Sequence, residues 1–484
     1  MILKGREVFW MSSEIINAAA PKKKKRKLTM PHIYLLLFMF ACVCAIASWI
    51  IPAGVFDRVQ NSAGKGVVIP GTYHTVASTP VTLFQLISSI YKGMLDAGNI
   101  IFFVFMAYAS IGLIISTGAF NGLVAKLLKK VHGKYRTVII PAFLLIIGIA
   151  SSTIGCFEEM YPFIPIFVGI TIAMGYDAIV GAGIVALATS IGYSAAFMNP
   201  FNVGMAQSIA GITQMSGAGF RIFSHLVMIT VASIYMIRYA LKVEADPSKS
   251  VVHGISFSNL EMDKEDLENH PFGIREKLVL LTLAAGIAVI VWGCKTRGWY
   301  FEELCTAFLT MGVISAIIMG WGPNIICGKM ANSFSEIAMA CIMIGVARAI
   351  LVVLNEGNII DTVVYGLSIP LSYMPKWIAG EAMLVFQTLL NFLIPSSTGM
   401  AVVSMPIMAP LSDLLGIPRQ VAVLAFQFGD GLTNVLWPTA STPVICAIAG
   451  IPLQKWMKWF TPLFLLLLLT EAVLIAISIA IGYV

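Results

Sequence analysis

The chain has 484 residues, 58% of them apolar and 11% charged, with a formal net charge of +7 and a mean hydropathy of +0.88. Soluble domains carry about 25% charged residues, so this composition excludes one and describes an all-α polytopic membrane protein. The surplus positive charge lies in short segments between apolar runs, which ties it to membrane topology and argues against a nucleic-acid partner.

Residues 1–29 read as a basic cytoplasmic N-terminus, with "PKKKKRK" (21–27) anchoring the first span and no apolar core of a cleavable signal. That span follows at 32–53, long enough to cross a bilayer. Residues 54–94 are placed outside as a polar, Gly- and Pro-rich segment. A second span at about 95–117 returns to the basic "KLLKKVHGKYR" (126–136). The apolar region of about 137–174 carries "SSTIGCFEEMYPF" (151–163) and ends at "GYD" (175–177). A full crossing here would put the following loops on the wrong side, whereas a re-entrant hairpin keeps the charges consistent. The long segment 178–211 is broken at "MNPFN" (198–202), because proline lacks a donor and clashes with the turn before it. A span at 219–241 completes a first half (30–242), and a hydrophilic cytoplasmic linker covers 243–276. A bridging helix (277–303) precedes a second half (304–484). That half holds spans at 304–321 and 336–355, a hairpin at about 378–415, a broken helix at about 421–450 and a final span, which leaves the C-terminus outside.

The two halves echo each other. "SST" stands at 151–153 and at 396–398, each run is followed by Met and Pro, and each hairpin by a helix interrupted at Asn and Pro ("FMNPFN", 197–202; "FGDGLTNVLWPTAS", 428–441). An odd number of crossings between the hairpins makes the repeat inverted. Unwound backbone and half-helix ends near the midplane then supply dipoles and carbonyls to a buried ion or substrate. The charged residues at that depth are Glu158, Glu159, Arg348 and Asp430, functional candidates because charge in the membrane is costly. Adjacent glutamates on a helix point about 100° apart, a direct consequence of 3.6 residues per turn, so one is expected to bind while the other pairs elsewhere or stays protonated. Arg348 either meets substrate or pairs with one of the three acids. Asp177 is expected to be exposed at a hairpin end, and Asp96 to be an unremarkable span end. Eight cysteines, mostly in apolar spans and without CxxC spacing, read as buried hydrophobes. HExxH and GxSxG are absent, and the GxGD of an intramembrane protease fails because Gln427 replaces its first Gly; no catalytic residue is assigned.

"EEMYPFIPI", "GYSAAFMNPFNVGMAQSIAGI" (192–212), "MPIMAPLSDLLGIPRQVAVLAFQFGDG" (405–431) and "MPHIYLLLFMFACVCAIASWIIPAGVFDR" (30–58) together resemble the YfcC/ArcD-like branch of the anaerobic C4-dicarboxylate carrier family, of the ion-transporter superfamily. The resemblance implies homodimeric secondary carriers in the cell inner or plasma membrane, working by elevator-type alternating access. Carried over by position, it implies hairpin tips at Ser151–Glu159, including Ser151, Ser152 and Thr153, and at Pro395–Met400, including Ser396, Ser397 and Thr398. It implies broken-helix sites at Ser194–Asn202, including Ser194, Asn199 and Asn202, and at Gly429–Thr439, including Asp430, Asn434 and Thr439. A coupling sodium ion near Asn199 and Asn434, or a proton, is expected, and no other cofactor. The branch carries basic amino acids of the arginine, ornithine and lysine type, which the acids at 158, 159 and 430 suit. The alternative is a C4-dicarboxylate or other organic anion, which Arg348 suits, with a channel or an intramembrane enzyme as remote alternatives. The chain departs from the family at both tips, with "GCFEE" (155–159) and "PSSTGMA" (395–401) in place of the commoner patterns.

Overall fold

The structure is a computed structural model that describes residues 31–60, 66–120, 122, 133–257 and 273–484. The basic N-terminus (1–29), the basic segment 126–132 and residues 258–272 of the linker lie outside the described residues. All the elements below belong to the unit His32–Val484.

Helix ends fall where the sequence supplies a proline, a glycine or a capping side chain. Helix α1 (Ile33–Ile50) stops just before Pro52. Four short strands follow, β1 (Gly54–Val55) pairing with β4 (His74–Thr75) and β2 (Arg58–Gln60) with β3 (Gly66–Val68). Within 54–94, to which the sequence reading assigns no helix, the structure forms α2 (Leu83–Asp96). Thr82 and Gln85 close a capping box at its start. Its buried side, at Leu86, Ser89 and Gly93, packs along a later helix. A sequence reading tuned to uniformly apolar runs passes over such an amphipathic helix.

Next come α3 (Gly98–Ser116), α4 (Ile139–Ile154), a 3₁₀ turn (Glu158–Phe163), α5 (Ile164–Ala173), α6 (Ala178–Ser194), α7 (Met205–Ile209) and α8 (Ala218–Ala245). Beyond the linker are α9 (Ile274–Arg297), α10 (Phe301–Ile318), α11 (Pro323–Glu356), α12 (Ile360–Ser368), α13 (Lys376–Leu393) and α14 (Ser397–Leu414). The chain closes with α15 (Arg419–Gly431), α16 (Thr442–Ile448) and α17 (Leu453–Ala480). Eight of the described helical segments are long and apolar enough to cross a membrane: α1, α3, Arg136–Ile154, α8, α9, α10, α11 and α17.

Two packing groups emerge. Helices α1, α2 and α3 pack on α11, with α10 on α3 and α9 on α10. In the other group α4 and α5 both pack on α6, and α13 and α14 both pack on α15. The first halves of the interrupted helices, α6 and α15, pack on each other, and α17 lies against α8, α13, α15 and α16. The groups meet chiefly where the 158–163 turn rests on α3 and where α16 rests on α11. Helix α6 is buried along its whole length, as is α15 from Gln420 to Gly431. Small residues allow the close approach that helix packing in lipid requires. A Cβ at Gly431 would come within 2.2 Å of the Ser194 nitrogen and Oγ, so only glycine fits there.

Asp177 is the second correction. It is 7% exposed rather than solvated. It caps α6 by accepting from the Val180 nitrogen (3.2 Å), and it also accepts from the Tyr239 hydroxyl (2.6 Å) and the Ser250 hydroxyl (2.6 Å). Burial pushes its carboxyl above the usual carboxylate range, and these hydrogen bonds restrain the shift. The described part of the linker, residues 246–257, folds back on the α5–α6 corner.

Candidate functional site

Asp430 stands one residue before the end of α15, where the chain tightens into a 3₁₀ turn (Leu432–Val435). It is fully buried. Three amides from three parts of the chain converge on its carboxylate: Asn202 Nδ2 at 2.7 Å, Asn391 Nδ2 at 2.9 Å and Asn434 Nδ2 at 3.3 Å. Asn202 Nδ2 also donates to Ser397 Oγ at 2.9 Å, joining the first break to the second tip. Thr398 strengthens that joint by donating to the Phe201 carbonyl at 3.1 Å. The carboxylate is thus stabilised by neutral donors, and no cation pairs with it among the described residues. The Asn202 and Asn391 side-chain oxygens are buried and unpartnered. Buried polar groups are normally satisfied, so the centre presents free oxygens around a negative charge.

The first Ser/Thr run is spent on packing. Ser151 Oγ donates to the Thr189 carbonyl (3.0 Å), Ser152 Oγ to the Gly192 carbonyl (3.0 Å), and Thr153 Oγ1 to the Ile149 carbonyl (2.7 Å). Ser152 also meets His225 Nδ1 at 3.1 Å. Asn199 is occupied by the backbone: its Oδ1 accepts from the Phe201 (2.9 Å) and Asn202 (3.2 Å) nitrogens, and its Nδ2 reaches the Ser151 carbonyl at 3.4 Å. Gly155, at φ +80°, makes this possible, since a Cβ there would lie 2.6 Å from Asn199 Oδ1. In the second half Ser396 caps α14, and Thr439 Oγ1 donates to the Phe392 carbonyl at 2.7 Å.

The two glutamates part company. Glu158 lines a polar cavity of about 70 Å³ with Arg348, Pro395, Thr439 and Ser441. This cavity lies where the two packing groups meet. Glu159 accepts from the Phe157 nitrogen at 2.8 Å and lines a separate, apolar cavity of about 240 Å³ with Cys156, Phe201 and Tyr300. Arg348 ion-pairs with Asp96, not with any of the three acids expected for it. Gly93, whose Cβ would come within 2.5 Å of the Gly345 carbonyl, brings α2 against α11 and sets Asp96 beside Arg348.

Sequence reasoning missed Asn391, Arg221 and Glu471. Asn391, in the apolar "LLNFLIP", was detectable as a polar residue four positions before a proline. Arg221 is fully buried, and it donates to Gln427 Oε1 (2.6 Å), Gln420 Oε1 (2.8 Å) and the Ser216 carbonyl (2.8 Å). It sits near the start of a predicted span and so reads as a flanking charge. Glu471 is the one acid in the apolar run of α17, and it is fully buried. Ser194 lies beside Glu471. Among the described residues, no group of three or more His, Cys, Asp or Glu is placed to hold a metal.

A family model described as "C4-dicarboxylate anaerobic carrier" matches residues 30–480. A Haemophilus influenzae protein named only as uncharacterized is 30% identical, over 95% of this chain and 98% of its own length. A protein of Escherichia coli (strain K12), named "Putative basic amino acid antiporter YfcC", is 29% identical over 97% of this chain and all of its own. Two solved structures also align with it. The Alcanivorax borkumensis YdaH transporter is 18% identical, covers 94% of this chain and 99% of its own, and has a TM-score of 0.45. Neisseria gonorrhoeae MtrF is 17% identical, with 94% and 96% coverage and a TM-score of 0.45.

Proposed function

We propose, from the premise that this chain belongs to the C4-dicarboxylate anaerobic carrier family, that it is a secondary antiporter of basic amino acids of the arginine, ornithine and lysine type. The observation that carries this reading is the Asp430 centre, a buried carboxylate held by three amides with two amide oxygens left free. A cationic group completes such a site, because the amides hold the carboxylate without neutralising its buried charge. Glu158, in the adjoining cavity, adds a second acid. Arg348 shares that cavity and favours an organic anion as the second reading, but its pairing with Asp96 already offsets its charge.

In this reading the two helix–break–helix units are re-entrant hairpins, and the interrupted helices are the broken helices of an inverted repeat. Its support is the matched packing, both arms of each pair resting on the following helix. The group containing α6 and α15 moves as the elevator against the group containing α11, within a homodimer. The N-terminus is cytoplasmic and the C-terminus outside, in the cell inner or plasma membrane. The coupling ion is sodium or a proton, and no catalytic step is involved.

Proteoliposomes loaded with unlabelled ornithine should take up labelled arginine, and only when a counter-substrate is present inside. Asp430→Asn should lower that uptake by at least about tenfold, a factor worth about 1.4 kcal/mol, while the protein still elutes as a single folded species. Uptake of labelled succinate in place of arginine would establish the organic-anion reading, and downhill leak without counter-substrate would establish a channel.

A further inference from the structure

Glu471 lies about two-thirds of the way along α17, a helix long and apolar enough to cross a membrane. Its side chain is fully buried, and neither carboxylate oxygen has a hydrogen-bond partner. Its polar neighbour is Ser194, the last residue of α6, likewise fully buried with an unpartnered hydroxyl. The other buried or half-buried acids, bases and thiols on the helices packed against α17 are Arg221 and His225 (α8), Glu381 (α13), Arg419 and Asp430 (α15) and Cys446 (α16). None of them pairs with Glu471. Arg221 is held by Gln420 and Gln427, His225 by Ser152, and Asp430 by its amides.

An ionised carboxylate here would lack both a counter-charge and a donor beyond one hydroxyl, which burial strongly disfavours. A protonated one donates to the Ser194 hydroxyl and satisfies both groups. Glu471 is also connected to the substrate centre. The Ser194 nitrogen and Oγ press on Gly431 too closely for a Cβ to fit, and Gly431 follows Asp430 in the chain. Packing this tight transmits displacement rather than absorbing it.

We propose that Glu471 and Ser194 form a proton-binding site, distinct from the Asp430 centre, that couples substrate exchange to the proton gradient. The proposal rests on the transporter reading above. Glu471 takes a proton from water on one side and carries it, as the neutral acid bonded to Ser194, with the moving group. It releases the proton to water on the other side, leaving the carboxylate to be reprotonated before the next cycle. Ionisation of Glu471 reverses its bond with Ser194, whose hydroxyl must then turn to donate, and the change reaches Asp430 through Gly431.

The test uses the full chain in liposomes and compares wild type, Glu471→Gln and Ser194→Ala. Glu471→Gln keeps the shape of the neutral acid and its ability to bond Ser194. It should retain exchange of labelled against unlabelled arginine to within about twofold, while accumulation driven by an imposed proton gradient falls by about tenfold, the usual size of a coupling between sites. Infrared difference spectra across a pH step should show a carboxylic-acid carbonyl band in wild type that is lost in Glu471→Gln and shifted in Ser194→Ala. Unchanged gradient-driven accumulation in Glu471→Gln, or the same band in all three proteins, overturns the proposal. If wild type neither exchanges nor accumulates arginine, the basic amino-acid reading falls, and the infrared band still decides the state of Glu471.

Discussion

Neighbouring residues of like chemistry have separate roles here. Glu158 and Glu159 open one 3₁₀ turn, yet one lines the polar cavity with Arg348 and the other an apolar cavity beside Cys156. Glu158→Gln should therefore cut arginine uptake by about tenfold, since charge at such depth is functional by default. Glu159→Gln, whose carboxylate holds the Phe157 nitrogen, should lower the melting temperature more than it lowers uptake. Equal loss of uptake in both variants at equal stability would reverse the assignment. The sequence marked both glutamates as candidates and could not divide them, because the division depends on which helices surround the turn. It likewise marked the 151–153 hydroxyls, of which the fold uses Ser151 and Ser152 to bind α4 to α6 and Thr153 to bond within α4.

At the scale of elements, Asp177 ties the α5–α6 corner to the linker. Three donors, from Val180, Tyr239 and Ser250, meet its carboxylate, and hydrogen bonds to a charged group contribute about 1.5–3 kcal/mol each. Asp177→Ala should free residues 246–257 from that corner. Limited proteolysis should then cut this segment several-fold faster than in wild type, and an unchanged rate would show that the latch does not hold the linker. The sequence misled here for a definite reason. "GYD" at a corner between apolar segments reads as a solvated end, and the covering residues lie more than sixty positions downstream. Helix α2 went unassigned for a related reason, since its polar face breaks up the apolar run that marks a span.

For the whole molecule, the polar cavity lies between the packing groups, and Ile344 on α11 and Val444 on α16 both line it. If transport moves one group past the other, linking these positions should stop it. Cysteines introduced at Ile344 and Val444, in a background without the native cysteines, should abolish arginine exchange when bridged and recover it on reduction. Exchange that continues at full rate in the bridged protein would rule out relative motion at this interface.

The sequence by itself determined the membrane class, the helical fold, the family and most of the spans, because each follows from composition or local apolar length. It also located the chain break at Asn199–Pro200, since proline acts through its own backbone, while the family resemblance supplied the tips at Ser151–Glu159 and Pro395–Met400. Only the tertiary structure decided the partners. Asn391 and Asn202 reach Asp430 from positions 39 and 228 residues away, Arg348 finds Asp96 across 252, and Ser194 comes to rest between Gly431 and Glu471. Such pairings leave no local trace, because a buried charge is stabilised by whatever the packing brings to it, and packing is a property of helices far apart in the chain.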